Sequence, residues 1–211
     1  MPQQTMERLI AGFRAFRATY YIENRALFDA LARQGQSPKV MIVGCADSRI
    51  DPLLITGAEP GDLFILRNVA NLVPPYSPDG HYHGTSAALE FAVRSLEVEH
   101  IVVFGHAQCG GVMALLDGSP MAGRGDDFIA AWMSIAEPAR QRALALPGSA
   151  DDRRQACEFE TIKVSLGNLM TFPWIRERVG DGRLALHGWY FDLARGSLMR
   201  LDPATQEFRD V

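Results

Sequence analysis

The sequence predicts an α/β fold: a mainly parallel β-sheet with helices on both faces, an antiparallel edge formed by a C-terminal hairpin, and an N-terminal helical arm. Short apolar runs that are typical of buried strands alternate with longer stretches in which apolar residues recur at helical spacing. Strands that alternate with helices usually pair in parallel, with the helices on both faces of the sheet. We find no internal repeat or linker and therefore expect a single domain over residues 1–211.

The first part of the chain indicates a helical arm followed by two strands. Large apolar residues recur at helical spacing in residues 5–33, which predicts two helical segments that pack either on their own domain or on a partner subunit. The apolar runs at residues 40–43 and 63–66 predict strands, because each follows a turn signal rich in glycine and proline.

The rest of the chain continues the alternation and ends in a hairpin. A Pro-Gly-Ser break separates two long helical patterns, and an Arg-Gly-Ser turn follows the last strand. The predicted elements are, in order, a helix from about Thr85, a strand at 101–104, a helix from about Cys109, helices at 126–146 and 152–170, a strand at 184–191 and a turn at 195–197.

Composition and charge exclude several classes of protein. The 211 residues are 47% hydrophobic and 22% charged, which indicates a folded globular chain and excludes an intrinsically disordered one. A formal net charge of −4 without a lysine or arginine cluster argues against nucleic acid or an anionic membrane as partner. Every uncharged run is too short for a membrane span. Glu7 and Arg8 stand where a secretion signal needs apolar residues, so we expect a cytoplasmic protein.

Two motifs follow predicted strands. The first begins at Cys45 and reads Cys-Ala-Asp-Ser-Arg, and the second begins at Gly105 and reads Gly-His-Ala-Gln-Cys-Gly-Gly. Open α/β sheets bind ligands at the carboxyl ends of their strands. If the two strands are neighbours, the loops that follow them can reach a single ion.

Cys45, His106 and Cys109 together offer two thiolates and one imidazole. This set suits tetrahedral zinc with one position left for water or a labile carboxylate, which is the pattern of catalytic zinc sites. The third cysteine, Cys157, lies in a helical pattern and is expected to pack in the core. An alternative hypothesis is a non-catalytic protein: either a redox-sensing or structural protein in which Cys45 and Cys109 form a disulfide, or a protein that only binds zinc.

Asp47 and Arg49 follow Cys45 at two-residue spacing, so in an extended loop they point the same way. They form either an ion pair that only stabilises the loop or a pair in which Arg49 holds the Asp47 carboxylate, which then accepts a hydrogen bond from zinc-bound hydroxide. Gly110 and Gly111 have no side chains to obstruct an anion at a helix N-terminus.

With these motifs, the sequence resembles the plant-like branch of the β-class carbonic anhydrases. Further matching stretches lie at residues 36–38, 59–64, 67–71 and 186–189, and the resemblance covers the chain from about residue 5 to 202. Two departures are informative. Phe91 stands where the plant-like branch usually has tyrosine, and Ile42 stands where the regulated bacterial branch has tryptophan, which argues against that branch's non-catalytic bicarbonate site.

The resemblance implies zinc-dependent, reversible hydration of carbon dioxide to bicarbonate and a proton, by attack of zinc-bound hydroxide. It implies one zinc per chain, with Cys45, His106 and Cys109 as ligands. Asp47 and Arg49 then form a catalytic dyad, and Asp47 is the alternative fourth ligand in a closed state. The resemblance implies a narrow substrate pocket lined by Gln36 and Phe64, with Phe91 in its wall and with pocket residues shared across a dimer interface. Gly110, at the open helix N-terminus, is expected to bind the substrate's developing negative charge.

The resemblance also implies a homodimer or a higher even oligomer, in which the helical arm, residues 1–34, packs on a partner subunit. One alternative activity uses the same ligands, because hydrolysis of carbon disulfide or carbonyl sulfide on this fold is also attack by zinc-bound hydroxide on a linear molecule.

Overall fold

The computed structural model describes residues 2–118 and 128–211. The chain divides into two compact units, Met1–Ser37 and Pro38–Val211. Residues 126 and 127, where a predicted helix begins, lie outside the described residues. No helix in the described part of the chain is both long and apolar enough to cross a bilayer.

The first unit is helical, as predicted, with three helices where the pattern predicted two segments. It contains α1 (Pro2–Ala18), the short α2 (Tyr20–Glu23) and α3 (Arg25–Gln34). Aromatic rings tie the three helices together, since Phe28 in α3 packs against Phe16 and Tyr21 with centroid distances of 5.9 and 5.0 Å. Large apolar side chains remain exposed on α1, namely Met6, Leu9, Ile10, Phe13 and Phe16.

The second unit contains a six-stranded sheet in the order β2-β1-β3-β4-β5-β6. The first four strands in this order are parallel to one another, whereas β5 is antiparallel to both of its neighbours, β4 and β6. This arrangement confirms the predicted fold class. The strands are β1 (Val40–Cys45), β2 (Leu63–Asn68), β3 (His100–His106), β4 (Ala185–Asp192), β5 (Ser197–Leu201) and β6 (Phe208–Asp210). The sequence pattern did not predict β6, because its three residues are too few to show an alternation.

Helices connect the strands of the second unit. They are α4 (Pro52–Thr56), α5 (Gly84–Glu90) with a π-helical turn at Phe91–Ser95, α6 (Gly110–Asp117), α7 (Ile129–Met133), α8 (Glu137–Leu144), α9 (Ala150–Leu169) and α10 (Pro173–Gly180), with 3₁₀ turns at Val69–Asn71 and Ser134–Ala136.

The helix boundaries differ from the prediction in two ways. The predicted helix at 126–146 is broken at Ser134–Ala136, because Pro138 lacks the N–H that a continuous helix would need. The short helices α4 and α10 were not predicted, although each begins with a proline, the residue favoured at the first helical position.

The core lies on both faces of the sheet. Met41 and Ile101 point to the face that α5, α9 and α10 cover, and Ile42, Val102 and Phe104 point to the opposite face. The alternation follows from the two-residue period of a strand.

Helix α9 approaches the sheet most closely over two glycines. A Cβ atom at Gly105 in β3 would lie 2.7 Å from Ile162 Cδ1, and one at Gly188 in β4 would lie 2.9 Å from Ile162 Cγ2. Ile162 is fully buried and therefore has no room to move away. The two glycines set the distance between α9 and the sheet.

We expect Gly105→Ala to destabilise the protein by about 1 to 3 kcal/mol, because the added methyl group overpacks the core against Ile162. Urea unfolding monitored by circular dichroism measures this. The matched control is Gly167→Ala in α9, where a Cβ meets no atom within 4 Å and should stabilise the helix by about 0.5 to 1 kcal/mol. Adding Ile162→Val to Gly105→Ala should cost less than the sum of the two single effects. A Gly105→Ala protein as stable as wild type would contradict the overpacking.

Candidate metal centre

The pairing of β1 with β3 brings the two sequence motifs together. These strands are adjacent and parallel, and Gly44 pairs with Phe104, so Cys45 and His106 end their strands at the same edge of the sheet. Cys109 follows as the N-cap residue of α6. The condition set by the sequence analysis, that the two strands be neighbours, is therefore met.

Cys45, His106 and Cys109 form a buried cluster whose ligand atoms all lie within 4.8 Å of one another. The two sulfur atoms are 3.9 Å apart. Two thiolates on one tetrahedral zinc would be about 3.8 Å apart, given a Zn–S distance of about 2.3 Å. The sulfur atoms of a disulfide would be about 2.05 Å apart. The two cysteines are therefore free, and the disulfide that the redox hypothesis requires is not formed.

The imidazole of His106 presents one nitrogen to the cluster. Its Nδ1 lies 2.9 Å from the carbonyl oxygen of Ala107, and because a carbonyl only accepts, Nδ1 carries the proton and donates. The lone pair is therefore on Nε2, which is buried and has no hydrogen-bond partner among residues 2–118 and 128–211. A buried acceptor without a partner, beside two thiols, fits a metal ligand.

The two thiols are electrostatically coupled. A hydrogen bond from Cys109 stabilises the Cys45 thiolate and lowers the pKa of Cys45, and the same bond raises the pKa of Cys109. The backbone N–H of Asp47, 3.4 Å from Cys45 Sγ, also favours this thiolate. The Cys45 thiol is thus the easier of the two to ionise, and a bound divalent cation would favour the thiolate form of both.

Asp47 and Arg49 form a two-point ion pair next to the cluster. Arg49 Nε donates to Asp47 Oδ1 at 2.9 Å, and Arg49 Nη2 donates to Asp47 Oδ2 at 2.7 Å. The hydrogen bonds from Arg49 hold the pKa of the Asp47 carboxyl well below its usual range. Asp47 Oδ2 lies 3.9 Å from His106 Nε2, so an ionised carboxylate borders the candidate metal centre.

Arg67 and Glu158 also support the centre, and the sequence pattern assigned a role to neither. Arg67 donates to the backbone carbonyls of Cys45, Asp47 and Ile50 at 2.9, 2.7 and 2.5 Å, which fixes the loop after β1. Glu158 is a buried carboxylate on α9 that accepts a hydrogen bond from the Cys109 N–H. An arginine in a strand and a glutamate in a helical pattern look like surface residues in sequence, so only the fold reveals these contacts.

The two glycines after Cys109 have different surroundings. A Cβ at Gly111 would lie 3.1 Å from Val69 Cγ1, so Gly111 allows α6 to approach the 3₁₀ turn at Val69–Asn71. A Cβ at Gly110 would meet no atom within 4 Å, and the first turn of α6 is open there.

Of the other predicted pocket residues, Phe64 and Phe91 contact each other but not the ligand cluster, because Phe64 pairs with Met41, four residues before Cys45. Phe64 lies in β2 and Phe91 begins the π-helical turn, and their ring centroids are 5.9 Å apart. Gln36 belongs to the first unit, and its place in the pocket stays a prediction. Cys157 is fully buried and is not part of the ligand cluster, as expected.

The fold and the centre agree with comparisons of sequence. A family model described as carbonic anhydrase matches residues 40–198. The chain is 40% identical over 197 residues to beta carbonic anhydrase 3 of Arabidopsis thaliana, covering 91% of this chain and 75% of that one. It is 42% identical over 188 residues to the mitochondrial beta carbonic anhydrase 6 of the same plant, covering 88% and 64%, so it spans less than two thirds of that relative's length.

Solved structures give the same result. The β-carbonic anhydrase CcaA superimposes with a TM-score of 0.89 at 35% identity, covering 99% of this chain and 92% of that one. A tetrameric β-carbonic anhydrase from the ascomycete Sordaria macrospora gives a TM-score of 0.81 at 30% identity, covering 94% and 97%. The chain belongs to the carbonic anhydrase family and, within it, to the β-class. The plant relatives are consistent with the plant-like branch that the motifs indicated.

Proposed function

We propose that this chain catalyses the reversible hydration of carbon dioxide to bicarbonate and a proton, at one zinc ion held by Cys45, His106 and Cys109. The observation that carries the proposal is the buried cluster of two thiols and one imidazole nitrogen that has no hydrogen-bond partner among the described residues, at the edge of the sheet where the two motifs meet. When bound, zinc lowers the pKa of its water and so supplies a hydroxide nucleophile. The names of the relatives favour carbon dioxide over carbonyl sulfide or carbon disulfide.

Asp47 and Arg49 act next to the ligands in this proposal. Because Arg49 holds both carboxylate oxygens, Asp47 stays ionised and keeps one orientation. It can therefore accept a hydrogen bond from the reacting water and orient it. The proposal includes a closed state. In that state Asp47 would leave Arg49 and bind the metal instead.

The proposed substrate pocket combines apolar side chains with the open first turn of α6. The paired rings of Phe64 and Phe91 offer an apolar wall that suits small, uncharged carbon dioxide. Because Phe64 pairs with Met41, four residues before Cys45, this wall would line the metal centre of a second copy. Phe91 has no hydroxyl group and can only contribute this wall. At the first turn of α6, the N–H of Gly110 can stabilise negative charge on the product. The side-chain amide of Gln36 completes the proposed pocket.

We further propose that the chain forms a homodimer or a higher even oligomer in the cytoplasm. Exposed apolar residues on α1 support a contact between the arm and a second copy, because large apolar patches on a surface usually mark interfaces. One structural relative is described as tetrameric. One plant relative is named as mitochondrial, so the cytoplasmic location rests on the sequence alone.

The purified chain should hold one zinc ion and accelerate oxygen-18 exchange between carbon dioxide and water. Two thiolates neutralise the zinc charge and weaken the acidification of water, so the exchange is measured at a pH of about 8.5. Cys45→Ser and Cys109→Ala should lose zinc and activity, because metal affinity depends on the full ligand set. Cys157→Ser is the matched control and should keep both. Full zinc content in both ligand variants, or a zinc-loaded wild type without exchange, would refute the assignment.

Arg49→Ala should lower turnover roughly 10-fold or more, because Asp47 loses its two-point contact. The loss should be larger near neutral than at alkaline pH, since the freed Asp47 carboxylate would compete with hydroxide for a bound metal and would compete less well as the pH rises. Arg49→Lys should recover only part of the activity, because an ammonium group cannot make both contacts.

The control for Arg49→Ala is Arg183→Ala, which removes an exposed pair with Asp181 at the same two-residue spacing. Its pH–rate profile should match that of wild type. If the profile of Arg49→Ala also superimposes on that of wild type, Arg49 only stabilises the loop.

Replacing Leu9 and Phe13 on α1 by glutamate should dissociate the oligomer. Both side chains are more than half exposed, at 56% and 58%, although they are large and apolar. Charged residues at these positions would be buried without partners in the proposed interface. Light scattering after gel filtration measures the mass. The control variant Ala11→Glu, Ala15→Glu places the same charges on the opposite side of α1 and should keep the wild-type mass. Equal masses for both variants would exclude this surface as the interface.

A further inference from the structure

Behind the candidate metal centre lies a buried pair of polar side chains that the proposed mechanism does not use. Glu158 in α9 is 4% exposed and Tyr190 in β4 is 1% exposed. Tyr190 donates its hydroxyl to Glu158 Oε2 at 2.7 Å, and the backbone N–H of Cys109 donates to Glu158 Oε1 at 3.3 Å. Both carboxylate oxygens are therefore engaged, and the carboxylate cannot rotate freely.

The Cys109 N–H belongs to a peptide group that a second charged residue holds. In the peptide between Gln108 and Cys109, the carbonyl oxygen accepts a hydrogen bond from Arg49 Nη2 at 3.0 Å. The N–H and the carbonyl of a trans peptide point in opposite directions, and the described chain contains no cis peptide bond. Arg49 and Glu158 therefore hold this one peptide plane from its two sides.

The orientation of this peptide has to be fixed by side chains, because the chain bends sharply at Gln108. Gln108 has a φ of 57°, in the left-handed region that residues with a Cβ seldom adopt. The bend turns the chain from the end of β3 into α6 and so places Cys109 beside His106. The orientation of the Gln108–Cys109 peptide sets the direction of the Cys109 side chain.

We propose that Glu158 and Tyr190 are positioning residues for the metal centre: together they fix the Gln108–Cys109 peptide and thereby aim the Cys109 thiol at the ion. The inference rests on the proposed function in that it takes the cluster to bind zinc. Neither side chain approaches substrate in this role. Glu158 acts through the backbone of Cys109, and Tyr190 acts through Glu158.

The experiment compares Glu158→Gln and Tyr190→Phe with a matched control, Glu160→Gln. Glu160 lies on the same helix, and its carboxylate pairs with Arg142 and Lys163 instead of the metal loop. We expect Glu158→Gln to lose zinc to a chelator about 10-fold faster than wild type, since partners of this kind typically contribute 10- to 100-fold to metal affinity. Tyr190→Phe should lose zinc several-fold faster, and Glu160→Gln at about the wild-type rate.

Cobalt(II) substitution gives a second readout, which a general loss of stability would not change. The absorption bands of thiolate-bound cobalt depend on ligand geometry, so they should shift in Glu158→Gln and Tyr190→Phe but not in Glu160→Gln. Because the two residues act as one unit, the double variant should lose zinc no faster than Glu158→Gln alone.

Folded Glu158→Gln and Tyr190→Phe proteins with wild-type zinc loss and wild-type cobalt spectra would overturn the proposal. If Glu158→Gln does not fold, Tyr190→Phe decides by the same two measurements, because it keeps the carboxylate and removes one hydrogen bond. Neither readout requires turnover. A chain that binds zinc but does not hydrate carbon dioxide would refute the proposed function and leave this inference standing, whereas a chain that binds neither zinc nor cobalt would refute both.

Discussion

The parallel pairing of β1 with β3 is the constraint on which the rest of the centre depends. It places Cys45 and His106 at one edge of the sheet, although 60 positions separate them in sequence. Parallel strands run their carboxyl ends to the same edge, where the helices that follow begin. The cluster therefore needs only short loops, and the hydrophobic core on both faces stabilises the pairing that holds the ligands together.

Charged side chains then fix the loops by binding backbone atoms. Arg67 holds three carbonyls after β1, Arg49 joins the two motifs through Gln108, and Glu158 binds the N–H of Cys109. Such bonds are stronger where the side chain is charged, as it is in the two arginines. Loops that would otherwise be free to move are thus made part of the rigid sheet edge, which suits a centre that must hold its ligands at fixed distances.

The sequence predicted the four parallel strands, the sheet edge and the ligand cluster because each leaves a local signal. Cys45, Cys109 and the His106 between them have residue types and spacings that few other sites share. Glu158 and Arg67 leave no such signal, since their importance comes from contacts across more than 15 residues. The sequence analysis missed the short strand β6 and the helices α4 and α10 for a different reason. They are too short to show a hydrophobic periodicity.

The close packing of α9 against Gly105 and Gly188 limits how related sequences can diverge. Ile162 fills the space above both glycines, and Glu158 lies one helical turn before it on the same helix. A larger residue at either glycine would lift the helix and carry Glu158 away from Cys109. Divergence at Gly105 must therefore be compensated by a smaller residue at 162, and these two positions should covary wherever the glutamate is kept.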